Sequence, residues 1–210
     1  MTQAASPSIQ VVGICGSLRK GSFARMALHV ALEGAKEAGA RTRLVDLSAY
    51  QLIFCDGKED ESGYPTDVFK LREDVRAAQG IILVTPEYHG GYSGVLKNAL
   101  DLMGFEEFEG KMLGLVGVSG GRMGPVGAMN SLREVGRALH AWVIPEQAAI
   151  SEAYKVFDGS GTLRDRDLEK RVREVGRQVT RFAYLHTSEG AQEFLKAWES
   201  ALVNPGGAKD

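Results

Sequence analysis

The sequence predicts an α/β sandwich: a five-stranded parallel sheet with helices on both faces. Three observations predict it. Five short runs rich in branched apolar residues alternate with segments of helical periodicity. The first and third of those runs are apolar at consecutive positions, as strands covered on both sides are. Polar, glycine-rich loops follow the first, third and fourth runs, where a parallel sheet presents its ligand-binding rim.

Ile9 to Cys15 reads as the first strand. The helix after the opening loop places Ala27, Val30, Ala31, Gly34, Ala35 and Ala38 on one stripe and stops at Gly39. RTRLVDL, residues 41–47, is the second strand. YQLIFCDGKEDESGYP, residues 50–65, is irregular, and a loop of that length is functional or mobile. A helix over 66–79 turns Val68, Leu71, Val75 and Ala78 inward. GIILVT, residues 80–85, is the third strand, and PEYHGGYSG is the second glycine-rich loop. Ser93 is placed to cap the helix GVLKNALDLM. KMLGLVGVS is the fourth strand and empties into GGRMG, after which Pro125 suits the first turn of a helix.

WVIPEQAAI is the fifth strand, and its Pro145 argues for an edge. After a DGSG turn, Asp165 or Asp167 starts a helix with Leu168, Val172, Val175, Val179 and Phe182 on one face. A last helix, from about Ser188, carries Ala191, Phe194, Leu195, Trp198 and Leu202; the tail from Asn204 is expected to be disordered. Five strands in this arrangement suggest the flavodoxin-like three-layer order 2-1-3-4-5. Residues 1–187 then form one domain, and residues 188–210 a helical extension with its tail.

Composition narrows the function. The formal net charge is −2, which gives no support to nucleic-acid or membrane-surface binding. The two cysteines, Cys15 and Cys55, form no CxxC pair, so a reducing compartment is expected. The first ten residues lack the basic and apolar regions of a signal peptide, and no stretch approaches the roughly 18 apolar residues of a membrane span. A cytoplasmic protein is the expectation.

The opening loop, GSLRKGSFAR over residues 16–25, leads straight into a helix. Backbone N–H groups there, with the helix dipole, make an anion site. Ser17 and Ser22 add hydroxyls, Arg19 a planar cation suited to phosphate, and Gly16 and Gly21 allow close approach. A nucleotidase P-loop would need lysine where Ser22 stands, and no GxGxxG marks a dinucleotide site. The carboxylate cluster of a receiver domain is missing. A mononucleotide with a free phosphate end remains, and flavin mononucleotide (FMN) fits. Tyr88 offers a flat surface in the second loop. The small residues of SGGRMG let backbone amides approach a ring or its ribityl chain.

The motifs G16-S-L-R-K-G-S22-F, T85-P-E-Y88, G94-V-L-K-N-A-L-D101 and S119-G-G, in this order across residues 9–183, resemble those of the NADPH-dependent FMN reductases, a family that includes chromate, quinone and azo-dye reductases. The resemblance implies that Ser17, Arg19, Ser22 and Phe23 bind the FMN phosphate. It implies that Pro86, Glu87, Tyr88, His89 and Gly90 form the ring-binding loop, with Ser119, Gly120 and Gly121 at the ring's other edge. Ala24 and His89 stand where asparagine is usual or frequent in the family. Tyr92-Ser93 replaces an apolar residue and proline, which bears on substrate preference.

The activity implied is FMN-dependent NAD(P)H oxidation. Hydride passes from NADPH or NADH to N5 of bound FMN, then electrons pass to a small-molecule acceptor (free flavin, quinone, azo compound or metal oxyanion) in ping-pong order. No side chain is needed as a catalytic acid, base or nucleophile, because the chemistry is the cofactor's. A homodimer or homotetramer is implied, with residues 93–103 near the subunit seam. The alternative on the same fold is a flavodoxin-type electron carrier without NAD(P)H turnover; such carriers are usually strongly acidic. Elsewhere, His29, His140 and His186 lack metal-ligand spacing, so no metal site is expected. Cys15 reads as a packing residue, and Glu106, Glu107 and Glu109 as a solvated face.

Overall fold

The computed structural model describes residues 8–201. Its strands are β1 (Gln10–Cys15), β2 (Arg41–Asp46), β3 (Gly80–Tyr88), β4 (Gly91–Tyr92), β5 (Met112–Val118) and β6 (Trp142–Ile150). Between and after them run α1 (Phe23–Glu37), α2 (Thr66–Arg76), α3 (Gly94–Asp101), α4 (Phe105–Phe108), α5 (Val126–Ala138), α6 (Ala153–Val156), α7 (Arg166–Thr187) and α8 (Glu189–Glu199). Five strands pair in parallel in the order β2-β1-β3-β5-β6, and the two-residue β4 pairs antiparallel with β3. Apart from β4, this is the 2-1-3-4-5 order the sequence predicts. The register of β5 against β6 shifts between Leu113, opposite Val143, and Leu115, opposite Gln147. Pro145 therefore occupies an irregularity on an edge strand, where a missing N–H breaks little of the ladder.

Alternate residues of the central strands feed two cores. Val12, Ile14, Ile81, Leu83, Leu113 and Leu115 meet Leu71 and Val75 of α2, Leu96 of α3 and Leu132 of α5. Val11, Cys15, Ile82, Val84 and Val116 belong to the opposite core with Ala27, Ala31 and Ala35 of α1 and Val172, Val175 and Val179 of α7. This two-sided burial is why β1, β3 and β5 read as unbroken apolar runs. On the second face, α1 and α7 touch backbone to backbone. A Cβ on Gly34 would overlap the Arg173 carbonyl, and one on Gly176 the Ala31 carbonyl.

Residues 50–65 form no strand or α-helix, yet they are fastened. Asn98 donates from Nδ2 to the Ile53 carbonyl and accepts the Cys55 N–H at Oδ1, both at 2.9 Å. Arg72 forms a two-pronged ion pair with Glu61 and donates from Nε to the Leu102 carbonyl at 2.6 Å.

One expectation is corrected by burial. Glu107 lies in the unforeseen α4 and is 3% exposed, not solvated. It accepts from Arg76 Nη2 at 2.7 Å and from the Gly104 N–H at 2.8 Å, the donors a buried carboxylate requires. Cys15 and Cys55 are unpaired. No described helix is long and apolar enough to cross a membrane. Leu202 and the tail from Asn204 lie outside the described residues.

Candidate functional site

The first loop is anchored at its start and open at its end. The Gly16 N–H donates to the Val84 carbonyl at 2.8 Å, and the Gly16 carbonyl accepts from Ser93 Oγ at 2.6 Å. Gly21 lies at φ +67°, the left-handed region that favours glycine. Ser22 is the N-cap residue of α1, 7% exposed, but its hydroxyl makes no capping bond. The first turn of α1 contains no acidic side chain. The N–H groups at this helix start thus have no side-chain acceptor, at the positive end of the dipole. Arg19 is exposed, and among the described residues its guanidinium has no carboxylate partner.

The second segment is a hairpin rather than a loose loop. β3 runs past Thr85 through Tyr88, turns at His89-Gly90 and returns as β4, with Glu87 opposite Tyr92 and Tyr88 opposite Gly91. His89 and Gly90 both have positive φ, 52° and 79°, which suits a two-residue turn to the twist of its strands. Glu87 Oε2 accepts the Ala128 N–H of α5 at 2.9 Å. The Gly90 carbonyl lies against Gly127, where a Cβ would overlap it. The hairpin is therefore clamped to the start of α5. Ser93 caps α3 as predicted, accepting the Leu96 N–H at 3.2 Å, and its own N–H donates to Thr85 Oγ1 at 3.1 Å. Proline at position 93 could make none of these bonds.

The third loop is stitched to the end of β6. The Ser119 N–H donates to the Ile150 carbonyl at 2.8 Å, and the Ala153 N–H to the Ser119 carbonyl at 3.0 Å. Ser119 Oγ donates to the Gly121 carbonyl at 3.0 Å. A Cβ on Gly120 would meet nothing within 4 Å.

These segments enclose a cleft of about 250 Å³. Ser17, Arg19, Ser22 and Phe23 line it from the first loop, Pro86, Glu87 and Tyr88 from the hairpin, and Ser119 and Gly120 from the third loop. His89, Gly90 and Gly121 are not among the lining residues: the first two form the hairpin tip against α5. Ala24, where the family usually has asparagine, lines the cleft with its small side chain. Ala153 and Tyr154 line it too and were not foreseen. The signal that could have found them is positional: β6 ends on the same rim, though SEAY carries no glycine. Tyr88 and Tyr154 are both substantially exposed at the cleft. Cys15, just below, has its thiol pushed up by burial, which keeps it protonated and suits a packing role. Among the described residues no group of three or more His, Cys, Asp or Glu could hold a metal ion.

The family model described as NADPH-dependent FMN reductase matches residues 9–155. The chain belongs to that family. The match runs from the start of β1 into α6, so it takes in every wall of the cleft. A relative in Pseudomonas aeruginosa, an NAD(P)H-dependent FMN reductase, is 38% identical over 167 residues, covering 76% of this chain and 87% of that protein. An NAD(P)H:quinone oxidoreductase of Solanum tuberosum is 32% identical over 179 residues, covering 82% and 91%. Among solved structures, a flavoenzyme NAD(P)H:(acceptor) oxidoreductase from Paracoccus denitrificans aligns with a TM-score of 0.69 at 20% identity, over 85% of this chain and 98% of that one, and so shares the fold. As an FMN reductase family member the chain is an oxidoreductase.

Proposed function

We propose that FMN occupies the cleft, its phosphate on the open start of α1 and its ring between the hairpin and the third loop. The observation that carries this reading is the uncapped N-terminus of α1, beside which the Ser22 hydroxyl and the Arg19 guanidinium have no partner among the described residues. Such an end is finished by an anion. The Gly120 backbone, with open space where a side chain would stand, suits the close approach of a flat ring.

When bound, FMN supplies the redox chemistry: it accepts hydride from NAD(P)H and delivers electrons to a second acceptor in ping-pong order. The chain's own task is to hold and orient. Ser17, Ser22 and Arg19 fix the phosphate end. Glu87 keeps the hairpin clamped on α5, so that Pro86 and Tyr88 present one fixed surface. Ser93 ties the first loop to the hairpin. Tyr88 and Tyr154 give the mouth of the cleft exposed aromatic rings. That favours flat acceptors of the quinone or azo class, and the relative from Solanum tuberosum named as a quinone oxidoreductase accords with this. No side chain is assigned a proton transfer.

The test is anaerobic mixing of the FMN-loaded protein with excess NADPH, followed by a quinone. The expected result is loss of the oxidised flavin absorbance, then its recovery with the quinone, and parallel double-reciprocal plots in steady state. A chain that retains no FMN, or whose bound flavin stays oxidised, would overturn the reading.

A further inference from the structure

A cleft of about 250 Å³ falls below the roughly 300–1,000 Å³ of pockets that enclose a whole drug-sized ligand. With FMN in it, the cleft has no room left for a dinucleotide as well. With the nicotinamide at the cleft, the adenosine half of the reductant must lie across the rim, so the charges on the rim decide what it meets. The first loop offers Arg19 and Lys20, in the segment already assigned to the flavin phosphate. The hairpin side offers the carboxylate of Glu87. The remaining side is different.

There, two cations and a tyrosine hydroxyl converge on one carboxylate oxygen. Glu152 Oε1 takes Lys155 Nζ at 2.6 Å and Arg122 Nε at 3.5 Å. Tyr154, a cleft-lining residue, donates its hydroxyl to the same oxygen at 3.5 Å. Glu152 reaches this position from a left-handed backbone, φ 44° and ψ 46°, which is strained for a residue with a Cβ. The strain is held in place from both sides: the Glu152 N–H donates to the Gly121 carbonyl at 3.3 Å, and the next N–H, of Ala153, to Ser119. The neighbouring cations lower the proton affinity of Glu152, the Lys155 hydrogen bond most of all, so the carboxylate stays ionised. Two cations against one carboxylate leave a net positive charge at the rim. Arg122 is 85% exposed and meets Glu152 through Nε, while its two Nη nitrogens have no hydrogen-bond partner among the described residues.

We propose that Arg122 and Lys155, gathered by Glu152, read the phosphate on the adenosine ribose of NADPH and so set its preference over NADH. This rests on the function proposed above. A guanidinium fork and an ammonium together suit a phosphomonoester, which is nearly doubly charged and accepts several hydrogen bonds. NADH presents a neutral hydroxyl at that point and gains little from either cation. Glu152 is a positioning residue that holds the two cations beside the cleft.

The test compares the FMN-loaded wild type with the double variant Arg122→Ala/Lys155→Ala and with Arg122→Lys, using each nicotinamide under anaerobic conditions. The NADPH-to-NADH ratio of kcat/KM should fall about tenfold or more in the double variant and be largely kept in Arg122→Lys. As a binding probe, 2′,5′-ADP should inhibit the wild type about tenfold better than 5′-AMP, and this advantage should vanish in the double variant. A flavin reduced by both nicotinamides with an unchanged ratio, or equal inhibition by the two nucleotides in the wild type, would overturn this assignment alone. Failure to retain FMN, or to be reduced by either nicotinamide, would overturn it together with the proposed function.

Discussion

Two helices begin on the same rim and are finished in opposite ways. α5 starts against protein: Glu87 accepts its Ala128 N–H, and the Gly90 carbonyl rests on Gly127. α1 starts against the cleft, with an N-cap serine that caps nothing and a first turn free of carboxylates. The neighbouring α3 follows α5, since Ser93 closes it. Leaving a helix start uncapped costs about 1 kcal/mol, and the chain avoids that cost at α3 and α5. The difference separates scaffold from site. Closed helix starts lock the hairpin and the first loop in place, and the open one is the end to which the proposed function assigns the FMN phosphate.

The contrast can be erased by closing α1. Ser22→Asp gives the helix a carboxylate cap of its own. The flavin-free chain should gain about 0.5–1 kcal/mol, while FMN affinity falls roughly a hundredfold or more through repulsion of the phosphate. Melting of the flavin-free protein and an FMN titration read the two effects, and unaltered affinity would detach the phosphate from α1. Opening a closed end has the opposite signature. Ser93→Ala removes the α3 cap and leaves the Gly16 carbonyl without its hydroxyl partner, so stability should fall by about 1–3 kcal/mol. A shift under about 0.5 kcal/mol in urea unfolding would mean that the first loop and α3 are not tied through it.

Glu87→Ala should cost about 1–2 kcal/mol and harm stability more than flavin affinity. The reverse order would make Glu87 a ligand contact and not a clamp. Arg19→Ala sharpens the open side. Affinity for FMN should drop about tenfold, with stability within about 0.5 kcal/mol because the side chain is exposed.

Much of this was legible in the sequence. The central strands declared themselves because both their faces are buried, and Pro145 marked the edge through its missing N–H. The three loops were legible as one site because strands of a parallel sheet end on one rim. The hairpin was not. Its turn is His89-Gly90 and not the Asn-Gly or Asp-Gly pair that marks a two-residue hairpin, so PEYHGGYSG read as loop although Pro86 to Tyr88 continue β3. Gly121 was grouped with Gly120 by the family resemblance, yet it turns its carbonyl to Ser119 and Glu152. Tyr154 and the buried Glu107 depend on contacts between distant segments, which no local pattern records.

The most direct measurement is a paired titration of the flavin-free wild type with FMN and with riboflavin, which shares the ring and lacks the phosphate. If the start of α1 is finished by that phosphate, FMN binds about a hundredfold or more tightly than riboflavin, and added salt narrows the gap. Equal affinity for the two would contradict the account.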